Sequence, residues 1–445
     1  MSIEPHSREK SEQIPIRSKV VLLLVFLLVL LNYGFMQIRV ASIPLAEIVL
    51  LLFLITANLP LLLQRFSYAV NSMPFFAWWI YGIASAFWYL NLNGVWALRD
   101  ASNILESLYI LVGFSVFCNS SVRNLVINGY PKIIFVLCVY ALTYPLSQHL
   151  REFSPVLVAG AGHSIPLLFN YTNSSLLIML SVLYVAMSKS KSGVVSKNAS
   201  VVSAFLIVFS IGFFQSRILY IHIIAIFLML LFIKPSYSIR WIYIGFSVAI
   251  LLLGISVSGI EIEGRLGQKL SLDFIQNHFM AIFGQESDGL DGAARGVDQR
   301  FGWWTDIFHR WSSDIMTMLF GLGYGFPLIT FGVDHGVLVR EPHNSYLSVV
   351  ARGGIIGFLL WSWLHWYLLK SWYLTYQACK KYDWKEGMGF LLIVLGYFIL
   401  IWLRSLVQDG FEKPFIAVSY YFLWGLVLRM YWYSKYNKIS KNGIS

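Results

Sequence analysis

Charge is what this chain lacks most. Asp, Glu, Lys and Arg make up 12% of its 445 residues, hydrophobic residues make up 58%, and the mean hydropathy is +0.67. So few polar side chains cannot cover a water-facing globule of this size, which excludes a soluble enzyme or binding module and leaves a membrane protein. Cysteine is nearly missing: Cys118, Cys138 and Cys379 are too few and too scattered for a disulfide frame or a thiolate metal site. Missing too are an internal repeat and a pair of broken spans in matching positions, which counts against the inverted halves of a secondary transporter. The segments do not alternate over about ten residues at a time, as a membrane β-barrel requires.

What is present is a series of unbroken apolar runs. "VVLLLVFLLVLLNYGFM" from Val20, "LAEIVLLLFLITANLPLLL" from Leu45, "IYIGFSVAILLLGISVSGI" from Ile242 and "FLLIVLGYFILIW" from Phe390 are examples. Each is long enough, or nearly so, to cross a ~30 Å hydrocarbon layer as a helix rising about 1.5 Å per residue. About twelve spans are expected, at roughly 19–37, 43–63, 74–92, 104–119, 131–148, 165–188, 200–215, 217–233, 241–259, 344–369, 387–403 and 414–433. No small-residue cleavage site follows the first run, so it is expected to be a retained span and not a signal peptide. The expected organisation is a cytoplasmic tail (1–18), nine helices (19–259), a long periplasmic loop (260–343), three helices (344–433) and a second cytoplasmic tail (434–445). Ionisable residues are nearly absent from the middles of these runs.

The two basic residue types divide between the faces. With the basic N-terminus placed in the cytoplasm, Lys10, Lys19, Lys132, Lys189, Lys191, Lys197, Lys234, Lys370, Lys380, Lys381, Lys385, Lys435, Lys438 and Lys441 share its side, and Lys269 and Lys413 fall outside. Arg39, Arg99, Arg151, Arg217, Arg265, Arg295, Arg300, Arg310, Arg340, Arg352 and Arg404 fall on the outer side or its boundary. The lysines read as topology signals and anionic-lipid contacts. A guanidinium keeps its charge and binds phosphate oxygens through a planar fork, so an arginine-rich outer face points to an anionic phosphate ligand. The plainer alternative, snorkelling to headgroups, is kept for Arg39 and Arg310.

The long loop carries most of the outer polar residues. Within it Trp304, Ile307, Phe308, Trp311 and Ile315 recur at three- and four-residue steps, the pattern of an amphipathic helix on the membrane or over a cavity. "GLGYGF" ends that helix with turn-forming glycines; with no strand before it and no lysine opening a helix after it, it makes a weak phosphate cradle. Arg217, in "FFQSRILYI", sits where two apolar runs meet, a costly place for an arginine without a function or a partner. His343 opens "PHNSYLSVVARGGIIG", either as a proton acceptor or as a cap for the helix that follows. Glu286, Asp288, Asp291 and Asp298 lie in a glycine-rich stretch without the spacing of a calcium loop, so a solvated loop and metal-independent chemistry are expected.

"QSRIL" at 215–219, "QRFGWW" at 299–304, "LFGLGYG" at 319–325 and "PHNSYLSVVARGGIIG" at 342–357 together resemble the bacterial O-antigen ligase and polysaccharide polymerase family, over about the second half of the chain. The resemblance implies an all-α integral membrane protein of the GT-C kind in the bacterial inner membrane, both termini cytoplasmic, the active site facing the periplasm. It implies a donor glycan on undecaprenyl diphosphate, an acceptor on lipid A-core (ligase) or on another lipid-linked glycan (polymerase), membrane lipids as surroundings, and no cofactor or nucleic acid. On that reading His343 is the base for the acceptor hydroxyl and Arg217 and Arg300 grip the diphosphate. Arg265, in "EGRLGQKL", joins them by position alone, and Arg352 and Arg404 come next. Asn344 is a candidate to orient a sugar hydroxyl or the imidazole, and Asp409 to orient the base. The ligase is the leading expectation and the polymerase the second; a transporter or flippase of lipid-linked or anionic sugars and a non-catalytic scaffold are the readings from other classes.

Overall fold

The computed structural model describes residues 13–40, 43–158, 164–187, 197–233, 235, 238–259, 261–280, 291–330, 333–334, 337–436, 439–440 and 443–444. The helices run in the order α1 (Ile16–Met36), α2 (Leu45–Thr56), α3 (Leu59–Ala69), α4 (Met73–Asn93), α5 (Val95–Asp100), α6 (Ser102–Ser107), α7 (Tyr109–Val116), α8 (Ser120–Leu142), α9 (Ser147–Glu152), α10 (Ser174–Met187), α11 (Lys197–Phe209), α12 (Ile218–Ile233), α13 (Ser238–Ser258), α14 (Leu272–Met280), α15 (Asp291–Trp311), α16 (Ile315–Phe320), α17 (Ser345–Lys381), α18 (Lys385–Arg404) and α19 (Pro414–Lys435). Among the described residues, strands form only two-stranded antiparallel hairpins of two or three residues a side. This is an all-α membrane protein.

Every expected span overlaps helix, but the lengths differ from expectation, and the one at 165–188 is strand and turn before its helix starts at Ser174. By length and apolarity, α1, α8, α17, α18 and α19 qualify as membrane-crossing helices, and α2 with α3 makes a sixth if their bend lies within one span. That bend is 87°; Asn58 turns the chain in the left-handed region (φ 54°) and caps α3, with Pro60 in its first turn. Ser102–Val116, Ser174–Met187, Asn198–Phe214, Ile218–Ile233 and Trp241–Ile255 are apolar but shorter. At about 1.5 Å per residue the first four fall short of a full hydrocarbon layer, whereas the last is part of α13, whose 21 residues reach it. Two boundaries also move. The stretch at 120–130, expected as a loop, is the first half of α8, and α17 continues to Lys381 through a stretch expected to be a loop.

The middles of the bundle are less free of ionisable groups than the apolar runs suggest. Glu106, His222 and His365 are all buried. One ring nitrogen of each histidine is bonded, to the carbonyls of Leu400 (3.2 Å) and Trp361 (2.8 Å), and among the described residues the other has no partner. Among the described residues Glu106 has no hydrogen-bond partner on either carboxyl oxygen. The interior is therefore not so free of charge that a transporter is disfavoured by it.

At the centre α19 packs along α7, α1 and α17. Its closest crossing is with α7, where Gly113 and Gly425 face each other: a Cβ on Gly113 would stand 2.1 Å from the Phe422 carbonyl oxygen. Backbones approach this far only with glycine on both sides. The long loop builds its own small core, Trp303, Ile307, Leu328 and Ile329, against Ala351 near the start of α17. The amphipathic helix of the sequence reading exists as α15 but ends at Trp311. Asp314 caps a new helix, α16, and Ile315 belongs to that one, exposed. The buried stripe is Trp303 and Ile307, while Phe308 faces out.

Candidate functional site

The histidine motif is held where the loop meets the starts and ends of the last three long helices. Asn344 caps α17, its Oδ1 accepting from the N–H groups of Tyr346 and Leu347 at 3.1 Å each. The side-chain oxygen of the residue expected to orient a sugar hydroxyl or the imidazole is thus committed to the helix. One residue on, Ser345 ties α17 to the α18–α19 connection: its N–H donates to the Ser405 carbonyl (2.9 Å), its hydroxyl donates to Glu412 (2.5 Å), and the same oxygen accepts from Gly410 N (2.8 Å). From α15, Trp304 donates its indole N–H to the Pro342 carbonyl (2.8 Å), and Trp303 brings its ring 6.1 Å from that of His343. The tryptophans of "QRFGWW" therefore place the histidine.

His343 itself sits in left-handed backbone (φ 51°), a conformation a β-substituted residue rarely takes without constraint. Its Nδ1 lies 3.2 Å from Asp409 Oδ2. The imidazole side chain is 38% exposed and the carboxylate 4%, so one end of the ring is anchored in the protein and the other is open. Burial alone would raise the Asp409 carboxyl, but the hydrogen bond from His343 and the charge of Lys413 outweigh it and hold the group below the ordinary carboxylate range. With Nδ1–H donated to Asp409, the lone pair of a neutral ring is on Nε2, facing away.

Arginines gather beside this pair. The π-helical turn Ser210–Phe214 that ends the α11 run hands over to Gln215, which clamps the loop after α13: its Oε1 accepts from Leu266 N and its Nε2 donates to the Gln268 carbonyl, both at 2.7 Å. Arg265 N donates to the Phe213 carbonyl (3.0 Å), which holds Arg265 next to Arg217. Burial lowers the Arg217 pKa from its ordinary value, and the charges of Arg300 and Arg265 lower it further. Burial also lowers that of Arg300, against the pull of Asp409. Arg265 is close enough to Arg404 to act on it, while Arg404, buried at the end of α18, donates to the Thr172 carbonyl (3.2 Å). Arg217 thus feels Arg300 and Arg265, Arg404 feels Arg265, and Arg300 feels Asp409, the partner of His343. His278 on α14 feels two of them: its Nδ1 lies 3.2 Å from the Tyr220 hydroxyl, and burial with Arg217 and Arg265 lowers its pKa to about 4.

Arg352 is in a different setting from the one expected. It is 3% exposed and bridges two carboxylates, Asp100 at 3.0 Å and Glu341 at 2.8 Å, and its guanidinium also donates to the Phe326 carbonyl (3.2 Å). Every charge it could offer a phosphate is already taken, so it leaves the ligand-binding set. Arg340 shares Asp100 (3.4 Å), donates to the Gly325 carbonyl (2.9 Å) and lies over the Trp96 ring. The "GLGYGF" turn wraps this network. Gly321 (φ 86°) and Gly354 (φ 64°), the latter at a break inside α17, lie back to back, and a Cβ on Gly354 would stand 2.2 Å from the Leu319 carbonyl oxygen. The glycines serve a close backbone crossing, not a phosphate.

The sequence reading missed Asp100, Glu341, Glu412, His278 and Trp303. Glu341 stands two residues before His343, Trp303 lies within "QRFGWW" and Glu412 follows Asp409 by three, so these were visible beside the motifs; Asp100 and His278 are remote in sequence and carry no spacing signal. Of the acidic stretch, Glu286 and Asp288 lie outside the described residues, as does the side chain of Asp291, and Asp298 is exposed on α15. The side chain of Arg295 is likewise outside them. Neither a protein-family model nor a curated protein matches the chain.

Proposed function

We propose that the protein is a membrane glycosyltransferase that moves a glycan from undecaprenyl diphosphate to an acceptor hydroxyl, with its active site at the loop-bearing, periplasmic face of the bacterial inner membrane. One observation carries this: a half-exposed histidine, His343, is backed by the buried Asp409 at 3.2 Å, and Asp409 in turn acts on Arg300, whose charge is felt by Arg217. Like charges crowded at partial burial are costly alone and are relieved by a polyanion such as a diphosphate.

In this reading His343 Nε2 takes the proton of the acceptor hydroxyl as its oxygen attacks the anomeric carbon. The bond from that carbon to the diphosphate oxygen breaks, and the negative charge leaves on the diphosphate, where Arg217, Arg300 and Arg265 meet it. Asp409 stabilises the imidazolium until its proton is lost to solvent. The lipid tail stays in the bilayer, so twelve helices, some short or tilted, and a GT-C-like arrangement are the topology proposed with it. Acceptor identity separates a ligase, acting on lipid A-core, from a polymerase acting on a second lipid-linked glycan. The ligase is the first reading, carried by the residue resemblance.

The test is transfer by purified protein from synthetic undecaprenyl-diphosphate glycan to lipid A-core, with lipid-linked glycan as the competing acceptor. His343→Ala is expected to lower turnover by about 10²–10⁴-fold, the range of a positioned acid or base. Transfer at the wild-type rate by both His343→Ala and Arg217→Ala would sink the reading. Activity lost to EDTA and restored by magnesium would overturn its metal independence.

A further inference from the structure

A second concentration of arginine lies at the other end of the bundle. Arg429 and Trp432 sit near the end of α19, 15 and 18 residues beyond Pro414, so at about 1.5 Å per residue they are roughly 25 Å along the helix from the His343 end. There a cavity of about 460 Å³ opens between α1, α3, α7 and α19, lined by Arg17, Arg65, Arg429, Tyr68, Trp432 and Cys118 among others. The 87° bend between α2 and α3 makes the gap, because it turns α3 aside where a straight helix would continue.

The lining is unbalanced in charge. Among the described residues, three arginines line the cavity and no carboxylate does. Among the described residues none of the three is in an ion pair, and Arg17, Arg65, Arg123 and Arg429 all lie close enough to Cys118 to act on its thiol. The Arg429 guanidinium is stacked against Trp432 (4.2 Å) and Phe114 (5.1 Å), and its Nε is buried without a hydrogen-bond partner. Stacking fixes the plane of the fork and leaves a donor for an incoming anion. Around the cavity Leu61 and Tyr68 are exposed, as is Ile55 on α2. An arginine cluster with an apolar, aromatic rim is the arrangement that takes a phosphate headgroup while its acyl chains stay in the bilayer.

We propose that this cavity binds the phosphate of an anionic phospholipid, at the face of the membrane opposite the His343 site. Arg429 would supply the buried donor and Arg17 and Arg65 the closing charges. The proposal is independent of the glycosyltransferase reading.

Cys118 lines the cavity and is exposed, so it reports occupancy in the unmodified protein. The full chain in neutral detergent is treated with a maleimide, with and without phosphatidylglycerol, and labelling of the Cys118 peptide is followed by mass spectrometry. Labelling follows the unoccupied fraction, so it is expected to slow about fivefold once the lipid is at roughly four times its Kd. Phosphatidylcholine is expected to give no protection, and Arg65→Gln with Arg17→Gln, both exposed positions, to remove most of it. Equal protection by phosphatidylcholine, or unchanged protection in the double variant, would overturn the site. Protection by inorganic phosphate or pyrophosphate but not by phosphatidylglycerol would overturn the lipid as occupant.

Discussion

Arginines that look alike in the sequence differ in what surrounds them. Arg217 lies near other guanidiniums and Arg352 pairs with two carboxylates, so substitutions at the two are expected to be read in different measurements. Removing Arg352 leaves Asp100 and Glu341 buried without their cation, and Arg352→Ala is expected to cost about 3–5 kcal/mol of stability, read as loss of monodisperse protein in detergent. Arg217→Lys keeps the charge but loses the planar fork, so it is expected to fold normally and raise the KM for donor by about tenfold, the equivalent of one lost charge-assisted hydrogen bond. Glu412 gives a pH signature. Burial, with Asp409 and Glu341 nearby, raises its pKa from 4.5 to about 8 despite the Ser345 hydroxyl. The folded state then holds this proton more tightly than the unfolded chain, so its contribution is present below pH 4.5 and is lost as pH rises toward 8. Thermal melts of wild type should fall across that window, and Glu412→Gln should flatten the fall; a parallel curve would remove Glu412 from the account. His343 was legible from its motif, and Asp409 was named as its possible orienter, but their meeting at 3.2 Å was not. The two stand far apart in the chain, and only the α18–α19 connection, tied down by Ser345, brings them together.

At the scale of elements, the motifs turn out to be joints. "QSRIL" ends a π-helical turn with Gln215 clamping the loop that carries Arg265, "QRFGWW" sets tryptophans against Pro342 and His343, and "GLGYG" crosses the break in α17. At Gly321 a Cβ would stand 2.3 Å from the Arg352 carbonyl oxygen, in backbone of φ 86°. Gly321→Ala should therefore cost about 1–3 kcal/mol from strain and overpacking, and lower turnover because the displaced segment adjoins the Arg352 network. A thermal shift below one degree would show the crossing to be looser than it looks. Periodicity revealed α15 but not its end, since the break at Ser312–Asp314 depends on an aspartate cap that leaves the apolar rhythm undisturbed.

For the whole molecule, arginine marks both ends and not the outer face alone. Arg17, Arg65, Arg123 and Arg429 lie at the end away from His343, so the division of lysine inside and arginine outside is incomplete. The two ends should be chemically distinguishable in intact cells. Ser313, exposed between α15 and α16, when replaced in Ser313→Cys should react with a membrane-impermeant maleimide from outside, while the exposed native Cys118 should react only after lysis. Labelling of both from outside would contradict the proposed topology.

The sequence by itself determined that the chain enters a membrane as helices, because helix formation and burial of apolar runs are local consequences of composition and periodicity. It also singled out His343, Arg217 and Arg300 as candidates for the proposed chemistry. Only the tertiary structure decided which arginine meets other guanidiniums and which is consumed by Asp100 and Glu341, where the apolar runs break into separate helices, and where the arginine-lined cavity opens. Those depend on which distant segments touch, and in a chain this apolar the partners of each charge are chosen by packing, not by neighbours in sequence.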